Sequence, residues 1–240
     1  MNNIIQTIPF SNLALIFIPV LIVLAIILKW KLDALNSAYA MARMLIQLLL
    51  VGYFLVFIFE HDDVLTVLSV LSIMLLASSW IALRTCSIPR HLLYFKSFSA
   101  ISLASITVLL LVSYGVLELQ PWYSADKIIP LAGMVFASAM NSVSLAGERL
   151  EAEMKRNASF EAARVIAFKA SLIPITNSLF AVGLVSLPGM MTGQILSGVS
   201  PFIAARYQIM VMCMLFGSAG ISSAIFLTLL RSNFEKKVDP

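Results

Sequence analysis

The sequence predicts an all-α integral membrane protein of about seven transmembrane helices, N-terminus outside and C-terminus inside. Composition, run length and the placement of basic residues predict it. Of the 240 residues, 60% are hydrophobic and 12% charged, and the mean hydropathy is +0.97, as expected of a chain dissolved in lipid. Seven apolar runs, 10–28, 40–59, 64–83, 98–117, 128–147, 171–188 and 207–230, hold 18 to 24 residues each. About 20 are needed to cross the hydrocarbon core as a helix. Alternation with period two, the mark of a membrane barrel, is absent. Taking alternate connecting stretches as one side places 14 of the 16 Lys and Arg residues together, leaving Lys127 and Arg206 opposite. That excess marks the cytoplasmic side. It also accounts for the net charge of +4, so no nucleic-acid partner is expected.

No Lys or Arg precedes Phe10, and no small-x-small cleavage site follows the first run. The run is therefore expected to stay as a helix rather than leave as a signal peptide. In the second run Arg43 and Gln47 are four apart and share a helix face. Arg43 can snorkel to headgroups, whereas Gln47 lies a turn deeper and is expected to face other helices or water. The third and fourth runs flank a basic loop with Arg84, Arg90 and Lys96. The fifth and sixth each carry a polar dipeptide, Asn141-Ser142 and Asn177-Ser178. Two readings are open for these pairs: interhelical hydrogen bonding, or the lining of a translocation path. Pro174 is expected to kink or loosen the sixth helix and free nearby carbonyls.

In the seventh run Met210, Met212 and Met214 surround Cys213, and Met190-Met191 precede it. Thioethers can bind soft metals, but methionine is also ordinary packing material, and packing is the expected role. Cys86 is placed in a cytoplasmic loop and Cys213 within a span, so no disulfide is expected between them. The two histidines, His61 and His91, fall on opposite sides. No Cys-x-x-Cys or His-x-x-x-His spacing exists, and the metal site is left unassigned.

Every Asp and Glu falls in a loop or at a span end. A proton- or sodium-coupled carrier commonly holds an ionisable group at membrane depth, so ion coupling is disfavoured. No Gly-x-x-x-x-Gly-Lys-Ser/Thr phosphate loop is present. The chain is therefore not expected to be its own ATPase by that route, and if it pumps, its energy is expected to come from another subunit. The 148–170 stretch is the longest hydrophilic one. Glu148, Arg149, Glu151, Glu153, Glu161 and Arg164 follow a helical pattern interrupted at 157–159, with Ser159 able to cap a second helix. An amphipathic element along the cytoplasmic face, docking a soluble partner, is expected. The 188–206 stretch, with Gly189, Gly193 and Gly198, reads as a re-entrant or tightly packed outer loop.

The runs Pro130-Leu-Ala-Gly133-Met134, Met140-Asn141-Ser142-Val-Ser144, Glu148-Arg149-Leu150 and Pro174-x-x-Asn177-Ser178 belong to a larger pattern. It continues through Pro188-Gly189-Met190-Met191-Thr192-Gly193-Gln194, Tyr207-Gln208-Ile209 and Arg43-x-x-x-Gln47-Leu48. Together they resemble the FetB-type ABC transporter permease family of bacterial iron exporters, to which plant aluminium-sensitivity half-transporter subunits are related. The resemblance implies one permease domain over 1–240, multi-pass in the cell inner membrane, pairing as a homodimer and docking a separate ATPase through about 148–170. It implies no cofactor in this chain, with ATP and Mg on the partner. Glu161-Ala162-Ala163 is also similar to the docking loop of ABC importers. The match breaks at Ala167, where that pattern has Gly, and at the early Pro174. Iron or another metal cation is the implied cargo. An organic solute such as a nucleotide sugar, or ion-coupled transport, is the alternative. Gln47, Asn141, Ser142, Asn177 and Ser178 are the expected path residues. Glu60, Asp62, Asp63, Glu118 and Asp126 are expected at the outer mouth, either drawing cations outward or simply solvated.

Overall fold

The computed structural model describes residues 9–60 and 63–235. His61, Asp62, Lys236, Lys237 and Asp239 lie outside the described residues. The described chain is helical, and no strand forms among its residues.

Met1–His61 is one compact unit. It holds α1 (Phe10–Leu15), α2 (Phe17–Lys29) and α3 (Ala34–Glu60). Their apolar side chains stay largely exposed, as suits helices whose solvent is lipid.

Asp62–Pro240 is the second unit. It contains α4 (Val64–Ala82), α5 (Arg90–Leu110), α6 (Ala125–Lys155), α7 (Phe160–Ala181), α8 (Gly189–Leu196) and α9 (Pro201–Glu235). Asp63 starts α4 by accepting from the Thr66 N–H at 3.0 Å. Hydrogen bonding from the Thr66 side chain first, and then from its N–H, holds the carboxyl below the usual carboxylate range. This acid therefore serves as a helix cap, one of the ordinary roles open to the expected mouth acids. α5 loosens into a π-helical stretch at Leu111–Val116.

α6 is the central helix, against which α4, α5, α7 and α9 all lie. Ala132, Val135, Phe136, Ala139, Val143, Ala146 and Leu150 are buried along it at helical spacing. Lipid tails are as apolar as leucine, so close approach and polar bonds between helices replace the hydrophobic drive. Small buried residues supply the approach: Ala100 and Ala104 on α5, Ala163 and Ala167 on α7, Ala219 and Ser222 on α9. Hydroxyls cross between helices as well. Ser97 donates to the Ser79 carbonyl at 3.0 Å, and Ser138 to Leu215 at 3.0 Å.

Among the described residues, six helical segments are long and apolar enough to cross a membrane: Ser11–Lys29, Ala34–Phe54, Val64–Thr85, Arg90–Val116, Ala125–Lys155 and Pro201–Phe234. The expected sixth run is the one that falls short. α7 starts at Phe160, includes Glu161, Arg164 and Lys169, and ends at Ala181. A turn at Gly183, with φ of 84°, follows at once. Pro174 sits inside α7 without breaking it. The 188–206 stretch, read as a loop, forms the short helix α8 and the first turns of α9.

The charged 148–170 stretch is helical, with its break where expected. It consists of the end of α6 and the start of α7 rather than a separate surface element. Asn157, with φ of 60°, ends α6 in a Schellman arrangement. Ala158 N–H donates to the Glu153 carbonyl and Asn157 N–H to Met154. Ser159 then caps α7 by accepting from the Ala162 N–H at 3.4 Å.

Gly147 lets α6 meet its neighbours. A Cβ there would lie 2.7 Å from Cys86 Sγ and 3.2 Å from a Phe226 ring carbon. Gly147→Ala is expected to destabilise the protein by about 1–3 kcal/mol through overpacking. Adding Cys86→Ala should recover part of that loss, read as the thermal midpoint of the purified protein.

Candidate functional site: a neutral cavity on the central helix

A cavity of about 330 Å³ opens between α6, α7 and α9, lined by Asn141, Ser142, Ser138, Ser171, Ser178 and Met134 among others. α6 contributes positions 134, 137, 138, 141, 142 and 145, and α7 contributes 171, 174, 175 and 178. Both sets follow the three- and four-residue spacing of one helix face. Ser142 is buried, 3% exposed, and its hydroxyl donates to the Ala219 carbonyl at 3.0 Å and the Ser171 carbonyl at 3.4 Å. The Ser178 hydroxyl donates to the Pro174 carbonyl at 3.0 Å. The Asn141 side chain is exposed at the open side.

Of the expected path residues, Asn141, Ser142 and Ser178 thus meet in one cavity. Asn177 does not line it, since one residue turns the helix by about 100° and carries that side chain off the 171–174–178 face. Gln47 belongs to the first unit, where it is exposed on α3. Ser138 and Ser171 were missed, although each lies at helical spacing from an expected residue. Asn141 and the serines offer neutral oxygen and nitrogen donors, with no carboxylate or imidazole among the lining groups. Such a lining can pass a polar solute or cation through weak contacts, and it offers no nucleophile–base pair for covalent chemistry.

The charged end of α6 and α7 divides into inward and outward residues. Glu151 is 6% exposed. It accepts from the Ser87 N–H at 2.6 Å and the Ile88 N–H at 3.3 Å, clamping the loop between α4 and α5. Lys155 donates to the Ser87 hydroxyl at 3.0 Å. Glu153 is buried too, paired with Arg149 at 2.7 Å and Arg156 at 3.2 Å. Glu148 and Glu161 stay exposed. Glu161 meets Arg164 at 2.5 Å and Arg231 at 3.7 Å. Glu151 and Glu153, expected as docking residues, are therefore engaged within the chain: Glu151, on the α6 face with Gly147 and Leu150, holds the 86–89 loop, and Glu153, on a different face, is paired with Arg149 and Arg156. Beside the clamp, burial and the Glu151 and Glu148 charges push the Cys86 thiol up to about 12. Cys86 and Cys213 are both free.

Residues 10–234 match the family model described as Uncharacterised protein family (UPF0014). The chain belongs to this family. It is 38% identical over 216 residues to a UPF0014 membrane protein of Synechocystis, covering 82% of this chain and 83% of that one. It is 37% identical over 233 residues to the Probable iron export permease protein FetB of Escherichia coli, covering 90% and 88%. Against Protein ALUMINUM SENSITIVE 3 of Arabidopsis thaliana the identity is 32% over 224 residues, covering 85% and 80%. No solved structure matches the chain.

In this UPF0014 protein the clamp makes two predictions. Glu151→Lys should destabilise the fold by about 1–3 kcal/mol, because two buried N–H groups lose their acceptor, and Glu151→Gln should lose less. Melting curves of the two variants decide it. The Cys86 thiol, ordinarily near 9.0, is neutral when folded and ionises more readily when unfolded. Its contribution to stability is thus lost as pH rises from about 9 toward 12. At pH 8.5 a water-soluble alkylating reagent should label Cys86 far more slowly in the folded than in the unfolded protein, by timed mass spectrometry.

Proposed function

We propose that this chain is the permease subunit of an ABC-type exporter in the cell inner membrane, N-out and C-in, with ATP hydrolysed by a separate ATPase. One observation carries the reading. α6 and α7 both wall the neutral cavity, and both run on into the charged segment, joined there by the tight 156–159 turn. A partner that moves this turn moves both cavity walls. Ser142 and Glu153 are 11 residues apart on α6, about 16 Å at the rise of an α-helix.

The outward residues Glu148, Glu161 and Arg164, with Arg149 behind them, form the docking surface in this reading. ATP and Mg are bound by the ATPase. The cavity is open at Asn141 and Ser178, and a second copy of the permease closes it. Iron or another metal cation is the proposed cargo, in line with the printed name of the E. coli relative. Neutral donors suit such a cargo, since a tight site would trap the ion.

Co-purification with a co-expressed ATPase encoded beside the permease tests the partnership. Glu161→Lys with Arg164→Glu should weaken ATPase recovery about tenfold or more while the permease still inserts. Unchanged recovery removes this turn from the interface. Asn141→Ala with Ser178→Ala should raise cellular iron in a transporter-deficient strain, compared with the original chain at equal expression. If the original chain changes no metal but lowers a nucleotide sugar, the cation cargo is wrong.

A further inference from the structure

A second cavity, also about 330 Å³, lies farther along α6 toward its N-terminal end, where α8 and α9 meet it. Three helices each present one face to it. α6 gives Asp126, Pro130 and Met134, α8 gives Met190 and Gln194, and α9 gives Tyr207 and Met210. Each set is spaced by three or four residues, so the convergence follows from helix geometry.

Three features point to a ligand. The Gln194 amide oxygen is buried and has no hydrogen-bond partner, an acceptor left for something outside the protein. Pro130 has no N–H, so it cannot bond the Asp126 carbonyl one turn back, and that oxygen lacks its usual helical donor. The half-buried methionines Met134, Met190 and Met210 come from three different helices into one small space. Met212 and Met214, by contrast, are buried in packing.

We propose that this cavity binds a soft, monovalent metal cation through the thioethers of Met134, Met190 and Met210 and the Gln194 amide oxygen. Neutral sulfur donors select soft ions such as Cu(I). The charged lining is one carboxylate, Asp126, and one ammonium, Lys127, which offset each other. A hard divalent ion needs six or more oxygens with several carboxylates among them, and this lining does not supply them. Asp126 already accepts from the Ser124 hydroxyl at 2.8 Å, which leaves one carboxylate oxygen to the cavity. The site goes beyond the exporter reading and stands apart from it, because binding needs neither an ATPase nor nucleotide.

Full-length protein in lipid nanodiscs, with Cys86→Ser and Cys213→Ser to remove the thiols, is titrated anaerobically with Cu(I) against a chromophoric chelator. Leucine nearly matches methionine in volume, so Met134→Leu/Met190→Leu/Met210→Leu should keep the fold. One Cu(I) per chain is expected, weakened at least tenfold in the triple-leucine protein and unchanged by Met212→Leu/Met214→Leu. Equal affinity in the triple-leucine protein overturns the proposal. So does no Cu(I) binding at all, or a preference for Mn(II) or Fe(II) that depends on Asp126 alone. If the thiol-free chain does not fold, the titration uses the chain with its thiols. The original protein should then bind one Cu(I) more than the triple-leucine variant, and equal stoichiometry overturns the site.

Discussion

Helix α6 must satisfy its polar groups inside the protein while four other helices lie against it, and the rest of the second unit depends on that constraint. In hydrocarbon no water is at hand for a stray hydroxyl or carboxylate. The solution is close approach. Ala139, Ala146 and Gly147 bring neighbouring backbones near enough for Ser138 and Ser142 to bond to α9 carbonyls. At Gly147 the approach leaves no room even for a methyl group. The cavity forms beside this packed seam, where the α6 face turned to α7 meets Pro174 and the small residues Ser171 and Ser178.

The same helix changes character along its length, and environment explains the change. In the middle, Asn141 and Ser142 are neutral. Beyond Gly147, carboxylates are buried, yet each is matched: Glu151 by two backbone N–H groups, Glu153 by two arginines. A buried carboxylate is tolerable only with such partners. The clamp does more than satisfy Glu151. It ties the 86–89 loop to α6 while Lys96 holds the far end of α9, donating to the Leu229 carbonyl and the Ser232 hydroxyl, each at 2.7 Å, and to Asn233. The ends of α4, α5, α6 and α9 are thereby bonded together, leaving the 156–159 turn and the first residues of α7 facing outward.

Much of this was legible in the sequence. Run length and hydropathy gave the long apolar helices, and the helix-breaking triplet 157–159 gave the α6–α7 turn with its Ser159 cap. The sixth run was misplaced because Pro188 looked like its end. The chain turns earlier, at Gly183, since a glycine accepts the positive φ that other residues resist. α8 was hidden by Gly189, Gly193 and the following Gly198, which weaken propensity but do not forbid a short helix packed on α9. Of the two dipeptides Asn141-Ser142 and Asn177-Ser178, three residues line one cavity. Asn141 and Ser142 both fall within the broad α6 face on the cavity, whereas Asn177 lies beyond the α7 face formed by 171, 174, 175 and 178. Glu151 and Glu153 read as surface charges because alternating charges usually mark a solvated helix. Only the three-dimensional position of the 86–89 loop reveals that Glu151 faces inward, and only the side-chain geometry shows Glu153 held between Arg149 and Arg156.

Met134 borders both cavities. On α6 the neutral cavity occupies the face from 134 to 145 and the methionine-lined one the face from 126 to 134, so they share one flexible side chain. A methionine has three rotatable bonds and no branch, and it can move aside at lower cost than a β-branched residue would. Gly133 beside it bears on the same point. A Cβ there would lie 3.2 Å from the end of Met74 on α4, so α6 lies close against α4 at this level through a second thioether. Small movements here are easiest for Met134 and Met74, whose unbranched side chains can shift without moving the α6 backbone.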